Sequence, residues 1–347
     1  MGVMEKMSMS NIDVEMIVPQ DVENEYLDDL NDSYETVSEM TEEERQFLNS
    51  LLRRNKPKKL LEIGIASGSS SVIMLNAIKD IEGAMLYSID RSVELYHDKQ
   101  KATGYIVDNY PELKTKWKLY VGGLSFEFIE DIGGEIDFAL IDTVHFNPGE
   151  ILDFLMILPF LSEAALVVFH DTNLHTIRYP YFPQENPLSG RSIDLSSYCI
   201  TNNLLISSIH GEKIIVNDFI KNDNGKIFFG NIAGIRTSNE TKNHVFEIMN
   251  LLTLKWKSNI PLEKRKSLMA FLKKYYNNFY IEYLDKVFNY QDKCFAFEKS
   301  QKEKEKNNLL ECKNSVELLS AEIKSLKESK SWKITAPLRL VKKLWKR

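Results

Sequence analysis

Leu61-Glu62-Ile63-Gly64-Ile65-Ala66-Ser67-Gly68-Ser69 is the stretch on which the reading of this chain turns. It lies between an apolar run over 59–65 and a helical pattern over 69–79, so it reads as a strand, a glycine-bearing turn and a helix start. Outward from it, short apolar runs recur at 84–89, 118–121, 136–141 and 164–169, with helical patterns at 93–110 and 150–161 between them. Two further strand candidates, 213–216 and 231–236, close the unit near residue 238. This alternation predicts an α/β fold, a Rossmann-like, doubly wound, mostly parallel seven-stranded sheet with a helical C-terminal extension. In such sheets ligands bind beyond the carboxyl ends of the strands.

Upstream, Thr41 can cap a helix with Glu44 three residues on; Phe47, Leu48, Leu51 and Leu52 share one face, and Pro57 stops it. The chain therefore divides into an acidic, flexible segment 1–40, an α/β domain 41–238, a helical extension 239–298, a charged helix or short coiled coil 299–330 and a basic amphipathic tail 331–347. Its 347 residues carry 44 Lys and Arg against 50 Asp and Glu, for a net charge of −6. That mean hides a gradient: residues 1–50 hold 2 basic and 14 acidic side chains, residues 299–347 hold 14 basic and 6 acidic. The positive excess sits in a tail rather than over a folded face, which argues against nucleic-acid binding. Three cysteines without metal or redox spacing (Cys199, Cys294, Cys312), no signal-peptide pattern and no membrane span suit a cytoplasmic protein.

The glycine turn carries the first chemistry. Glycines let the backbone turn tightly and approach a ligand, and the following helix offers free amides. A dinucleotide cradle would need a middle glycine, and Ala66 stands there, which disfavours an NAD-dependent enzyme. Asp90 ends the second strand, where a carboxylate can accept both hydroxyls of a ribose. At these residues the chain resembles the class I S-adenosylmethionine-dependent methyltransferases over about 41–238, whose first motif is Glu-x-Gly-x-x-x-Gly. The resemblance implies that Glu62, Gly64, Ala66 and Gly68 surround the methionine and ribose of the cofactor. It further implies that Asp90 holds the ribose hydroxyls and that Gly122, Gly123 and Ser125 flank the adenine.

A second group lies on the same sheet edge. Asp142 ends the fourth strand with His145 three residues on, and His170 and Asp171 end the fifth. Carboxylates holding a divalent ion can lower the pKa of a hydroxyl, and a neutral histidine can take its proton. The pattern is similar to metal-dependent small-molecule and sugar O-methyltransferases. That implies Asp142, His170 and Asp171 as ligands of Mg²⁺ or another divalent cation, Asp142 also beside the cofactor, and His145 as general base. His170 stands where sugar-modifying relatives carry a carboxylate, and Thr172 where catechol-type enzymes carry Asn.

The polar, aromatic stretch 172–197, with Arg178, Tyr179, Tyr181, Phe182, Arg191 and Asp194, reads as a binding loop for a saccharide or as a packed excursion. Aromatics from Phe271 to Phe288 either pack on the α/β core or line a groove. Leu309, Cys312, Val316, Leu319, Ile323 and Leu326 follow a heptad spacing, so a homo-oligomer through 309–326 is one expectation and a docked helix the other. The string Ser331-Trp332-Lys333-Ile334-Thr335-Ala336-Pro337-Leu338-Arg339 resembles tails of bacterial glycan-assembly proteins, and 338–347 suits an anionic membrane surface. Together these point to O-methylation of a glycan or glycan precursor. The rival readings are a non-catalytic scaffold of a polysaccharide-assembly complex, an NAD-dependent enzyme and a metal-independent N-methyltransferase.

Overall fold

The structure, a computed structural model, describes residues 14–17, 40–172, 203–216 and 231–335. Among these described residues eight strands form one sheet: β1 (Val14–Ile17), β2 (Lys59–Ile63), β3 (Met85–Asp90), β4 (Trp117–Val121), β5 (Ile136–Ile141), β6 (Leu161–His170), β7 (Glu212–Val216) and β8 (Ile232–Arg236). Their order is β1-β7-β8-β6-β5-β2-β3-β4. The ladders β4-β3-β2-β5-β6 are parallel and β8 is antiparallel to both β6 and β7. The seven expected strands are all present, and the acidic N-terminal segment adds an eighth, because Val14–Ile17 pairs parallel with the edge strand β7. That segment is read from its sequence as flexible or loosely docked; the structure describes this short pairing with β7 within it, and an edge strand can form wherever a partner offers free backbone groups.

Winding reverses between β2 and β5, so their carboxyl ends lie side by side at a topological switch point. Helix α1 (Glu42–Asn55) starts as its sequence dictates: Thr41 accepts from the amide of Glu44, and Glu44 accepts from the amide of Thr41 at 2.7 Å. It buries Phe47, Leu48, Leu51 and Leu52. Helix α2 (Ser69–Ile78) is buried on all sides, while α3 (Ser125–Ile132) buries only one face. Helix α4 (Gly149–Ile157) follows β5. The expected helix over 93–110 does not form. There the chain folds back, with Leu95 donating to the Lys101 carbonyl and Thr103 to that of Val93, and only a 3₁₀ turn at Tyr105–Asn109 remains. Gly104, at φ +77°, turns the chain so that its amide reaches the Ala66 carbonyl, a tertiary demand that outweighs helical periodicity.

Beyond a short helix α5 over 203–208, residues 239–298 are mostly helical, in α6 (Asn239–Asn243), α7 (Val245–Asn250), α8 (Leu262–Tyr275) and the start of α9 (Asn278–Glu328), with a 3₁₀ turn at Leu251–Thr253 and an irregular connection over 254–261. Their aromatics pack on the α/β core: Phe271 lies 6.0 Å from Phe126 and Tyr275 4.9 Å from Phe160 between ring centres. The Tyr276 hydroxyl donates to the Leu155 carbonyl at 2.6 Å. The chain divides into compact units Met1–Val287 and Phe288–Arg347, the second dominated by α9. Among the described residues no helix is long and apolar enough to cross a membrane.

Gly64 and Gly83 both have positive φ, but a Cβ at Gly64 would overlap the carbonyl oxygen of Asp142, whereas one at Gly83 would meet nothing within 4 Å. Gly83→Ala should therefore cost about 1 kcal/mol from backbone strain alone, and Gly64→Ala about 3 kcal/mol or more. Urea unfolding would measure both; equal costs would refute this account of the β2–β5 junction.

Candidate active site at the carboxyl edge of the sheet

The loop leaving β2 is built from left-handed residues, with φ of +88° at Gly64, +47° at Ala66 and +94° at Gly68. It is held at its centre by Asp90, whose Oδ2 accepts from the amides of Ile65 at 2.9 Å and Ala66 at 3.2 Å, while Oδ1 accepts from Ser92 at 2.7 Å. A carboxylate has about four acceptor positions, so Asp90 keeps little capacity for a diol in this arrangement. Gly122, at φ +88°, donates its amide to the Asp90 carbonyl and stands exposed beyond β4. Gly123 packs against Phe128. Asp90 thus joins the Gly64–Gly68 turn, through its carboxylate, to Gly122, through its carbonyl.

Glu62 and Ser125 are placed differently. Glu62 is fully buried, and its carboxylate accepts from the hydroxyls of Ser70, Ser71 and Ser88, each at 2.6 Å. It thereby ties β2 to β3 and to the first turn of α2; the indole of Trp117 donates to Ser88 behind it. Burial pushes its pKa up to about 7, against the lowering effect of the three hydroxyls. The buried hydroxyl of Ser125 donates to Asp153 at 2.7 Å, and Thr143 donates to the other oxygen of Asp153 at 2.9 Å. Asp153 therefore braces the residue beside Asp142 against the start of α3.

The second group assembles at the ends of β5 and β6. His145 Nε2 lies 2.9 Å from Asp171 Oδ2, and its Nδ1 lies 3.2 Å from Glu150 Oε1. His170 is almost wholly buried; Nδ1 is 3.4 Å from Asp142 and 3.6 Å from Asp171, and Nε2 is 3.2 Å from Glu44. Neither nitrogen of His170 is aligned for a hydrogen bond with these oxygens, so the attraction is one of charge. Asp171 adopts the left-handed region at φ +53° and accepts from Asn231 at 2.8 Å. Asn147 anchors the His145 loop by donating to the carbonyls of Leu251 and Leu254.

The four sequence-predicted residues, Asp142, His145, His170 and Asp171, are thus brought together, and Glu44, Glu150 and Asn231 join them. Burial disfavours a charged His145, yet the hydrogen bonds and charges of Asp171 and Glu150 raise its pKa to about 11. Burial likewise opposes a proton on His170, but the carboxylates of Asp142, Asp171 and Glu44 together outweigh it, raising the pKa well above the ordinary value. Asp171 is held far below the usual carboxylate range by the two imidazoles. Burial raises Glu150 to about 7 against the pull of His145. His145 accordingly carries a proton at neutral pH here, which is the wrong state for a general base.

Two carboxylates and an imidazole suit a divalent cation with oxygen and nitrogen donors. One ligand atom from each of Asp142, His170 and Asp171 lies within 4.8 Å of the others, and the buried, unaligned Nδ1 of His170 faces both acids. Against that, Oδ2 of Asp171 is taken by His145 and Oδ1 by Asn231, so an ion would displace the former.

Comparisons with known proteins bear on the same stretch. A family model described as a methyltransferase domain matches residues 61–172, which run from β2 to just past β6. No curated protein matches the chain. Solved structures similar to it include the O-methyltransferase TomG of Streptomyces achromogenes, involved in tomaymycin synthesis, in complex with SAM (15% identity, 57% of this chain and 82% of that one, TM-score 0.37). Others are an O-methyltransferase of Bacillus cereus with SAH (13%, 61% and 90%, 0.39) and the SAH-bound Podospora anserina methyltransferase PaMTH1 (14%, 62% and 97%, 0.41). Likeness at that level decides nothing about substrate or mechanism.

Glu62 gives the site a testable pH signature. Its raised folded pKa means the stability it contributes is full below its ordinary value of 4.5 and is lost as pH rises through about 7. Glu62→Gln should remove up to about 3 kcal/mol of that pH-dependent fall, read as a flatter stability curve between pH 5 and 8. An unchanged slope would mean that Glu62 ionises as freely folded as unfolded.

Proposed function

We propose that this chain, whose residues 61–172 match a methyltransferase-domain model, is a class I S-adenosylmethionine-dependent enzyme that transfers the cofactor's methyl group to a hydroxyl of a glycan or glycan precursor. The observation that carries the reading is the meeting of the Gly64–Gly68 turn and Asp90 with the Asp142, His145, His170 and Asp171 cluster at one switch point. The Gly64–Gly68 turn and Asp90 would hold the cofactor, and Asp142 would hold the acceptor. The work of the residues is then to align the acceptor oxygen in line with that methyl and to remove its proton.

Asp142, Asp171 and His170 would hold a divalent cation, which when bound supplies a lower pKa to a coordinated hydroxyl. His145 serves as base in its neutral form, and that form requires relief from the carboxylate of Asp171, now 2.9 Å away. Any ligand that draws Asp171 aside lowers the proton affinity of His145, because that hydrogen bond is the largest influence raising it. Glu150 remains behind the ring to fix its orientation. The saccharide class of acceptor rests on the resemblance of 331–339 to glycan-assembly tails and on the aromatic and Arg-bearing stretch 172–197, whose residues from 173 onward lie outside the described residues.

Calorimetry with S-adenosylmethionine and S-adenosylhomocysteine should show binding to the full chain; no heat from either would sink the reading. Asp142→Ala should abolish turnover, and His145→Ala should lower kcat by about 10²–10⁴-fold, the usual range for a general base. Both variants should still bind cofactor. Near-wild-type kcat in either would remove that residue from the chemistry.

We also infer that residues 331–347 rest on an anionic membrane surface, since Trp332 and Trp345 accompany Lys333, Arg339, Lys342, Lys343, Lys346 and Arg347. Truncation after Lys330 should reduce co-sedimentation with phosphatidylserine vesicles and leave cofactor affinity unchanged. Equal sedimentation would reduce the tail to a solvated charged end.

A further inference from the structure

Helix α9 runs without a break over 51 residues, and from 302 to 328 every residue is exposed. The heptad residues on this stretch are exposed: Leu309 is 73% exposed, Val316 59%, Leu319 58%, Ile323 51% and Leu326 60%. Cys312 completes the row and is exposed as well. A helix of this kind gains most of its stability from covering an apolar face, so a row of six uncovered seam residues requires a partner.

We propose that residues 309–326 form a parallel, in-register, two-stranded coiled coil with a second copy of this chain. The seam itself selects that partner. Its a positions are Leu309, Val316 and Ile323 and its d positions Cys312, Leu319 and Leu326. β-branched residues at a with leucine at d, as in the last two heptads, favour a parallel pair over higher oligomers.

Charge selects the same orientation. In a parallel pair each g position meets the e position of the partner's next heptad, which sets Glu322 against Lys327 twice, once from each side. An antiparallel pair sets e against e and g against g. Here e carries Lys313, Ser320 and Lys327, and g carries Asn308, Ser315 and Glu322, so no opposite charges would meet. The seam is bounded upstream because Lys302 and Glu305 occupy the preceding a and d positions, and downstream because Lys330 and Lys333 occupy the following ones. Leu310 and Leu318 lie off the seam and stay exposed in the pair. A parallel pair also delivers both basic tails to one end, which raises their joint avidity for an anionic surface without any new contact.

The test uses the full chain. Sedimentation equilibrium at tens of micromolar should give twice the 40.2 kDa of one chain, falling to a single chain in the Leu319→Lys, Ile323→Lys double variant. In-register d positions bring both Cys312 thiols together, so mild oxidation of a Cys199→Ser, Cys294→Ser background should yield a disulfide-linked dimer that Cys312→Ser abolishes. A monomer at these concentrations overturns the proposal; if that monomer nevertheless binds vesicles through 309–326, a membrane is the occupant instead. A dimer that survives the double variant places the interface elsewhere. A seam-dependent dimer that resists cross-linking through Cys312 refutes the parallel register.

Discussion

The missing side chain at Gly64 is the constraint on which the site depends. The Ile63 carbonyl accepts from the amide of Asp142 and the Gly64 amide donates to the Ile89 carbonyl, so the ladder continues one step past β2 on both sides. At that step the Asp142 carbonyl rests against Gly64, where any Cβ would overlap it. The turn that would cradle a cofactor and the loop that bears Asp142 and His145 thus begin at one point. Their proximity follows from backbone contact and not from side-chain attraction.

Glu62 supports that point from beneath. A carboxylate fully out of water is unfavourable unless several donors reach it, and three serine hydroxyls do. Two of the three belong to the first turn of α2, whose positive end also favours a negative charge. Burial still dominates, which is why its pKa rises to about 7 rather than falling. A residue that the motif suggested as a cofactor contact thereby fixes the angle at which α2 leaves the loop.

Local pattern reveals some of this and conceals the rest. The parallel strands and α1 follow from apolar runs, a capping box and turn residues, all of which act within a few residues of one another. The stretch 93–110 misleads because its periodicity suits a helix while Gly104 serves the loop at Ala66, a contact across nearly forty residues of sequence. Asp142, His145, His170 and Asp171 were legible because strand ends in a parallel sheet converge by topology. Glu44 was legible only as a cap, and Glu150 and Asn231 not at all. Their roles arise from α1, α4 and the turn before β8 arriving at the same place, and the one available signal was the surplus of acid and amide side chains near strand and helix ends.

Those three residues change the electrostatics of the cluster. Four carboxylates, from Glu44, Asp142, Glu150 and Asp171, surround two imidazoles. Acidic groups therefore outnumber the imidazoles that could neutralise them. A buried excess of that sign draws in either protons or a metal cation, and His145 is the proton-holding answer seen in this arrangement. The state of His145 is therefore tied to whatever else satisfies Asp171. Because Glu44 and Asn231 both lie outside 61–172, the stretch matching the methyltransferase domain does not by itself contain the groups that settle this balance. Helix α1, through Glu44, and the turn before β8, through Asn231, are accordingly parts of this cluster and not merely its cover.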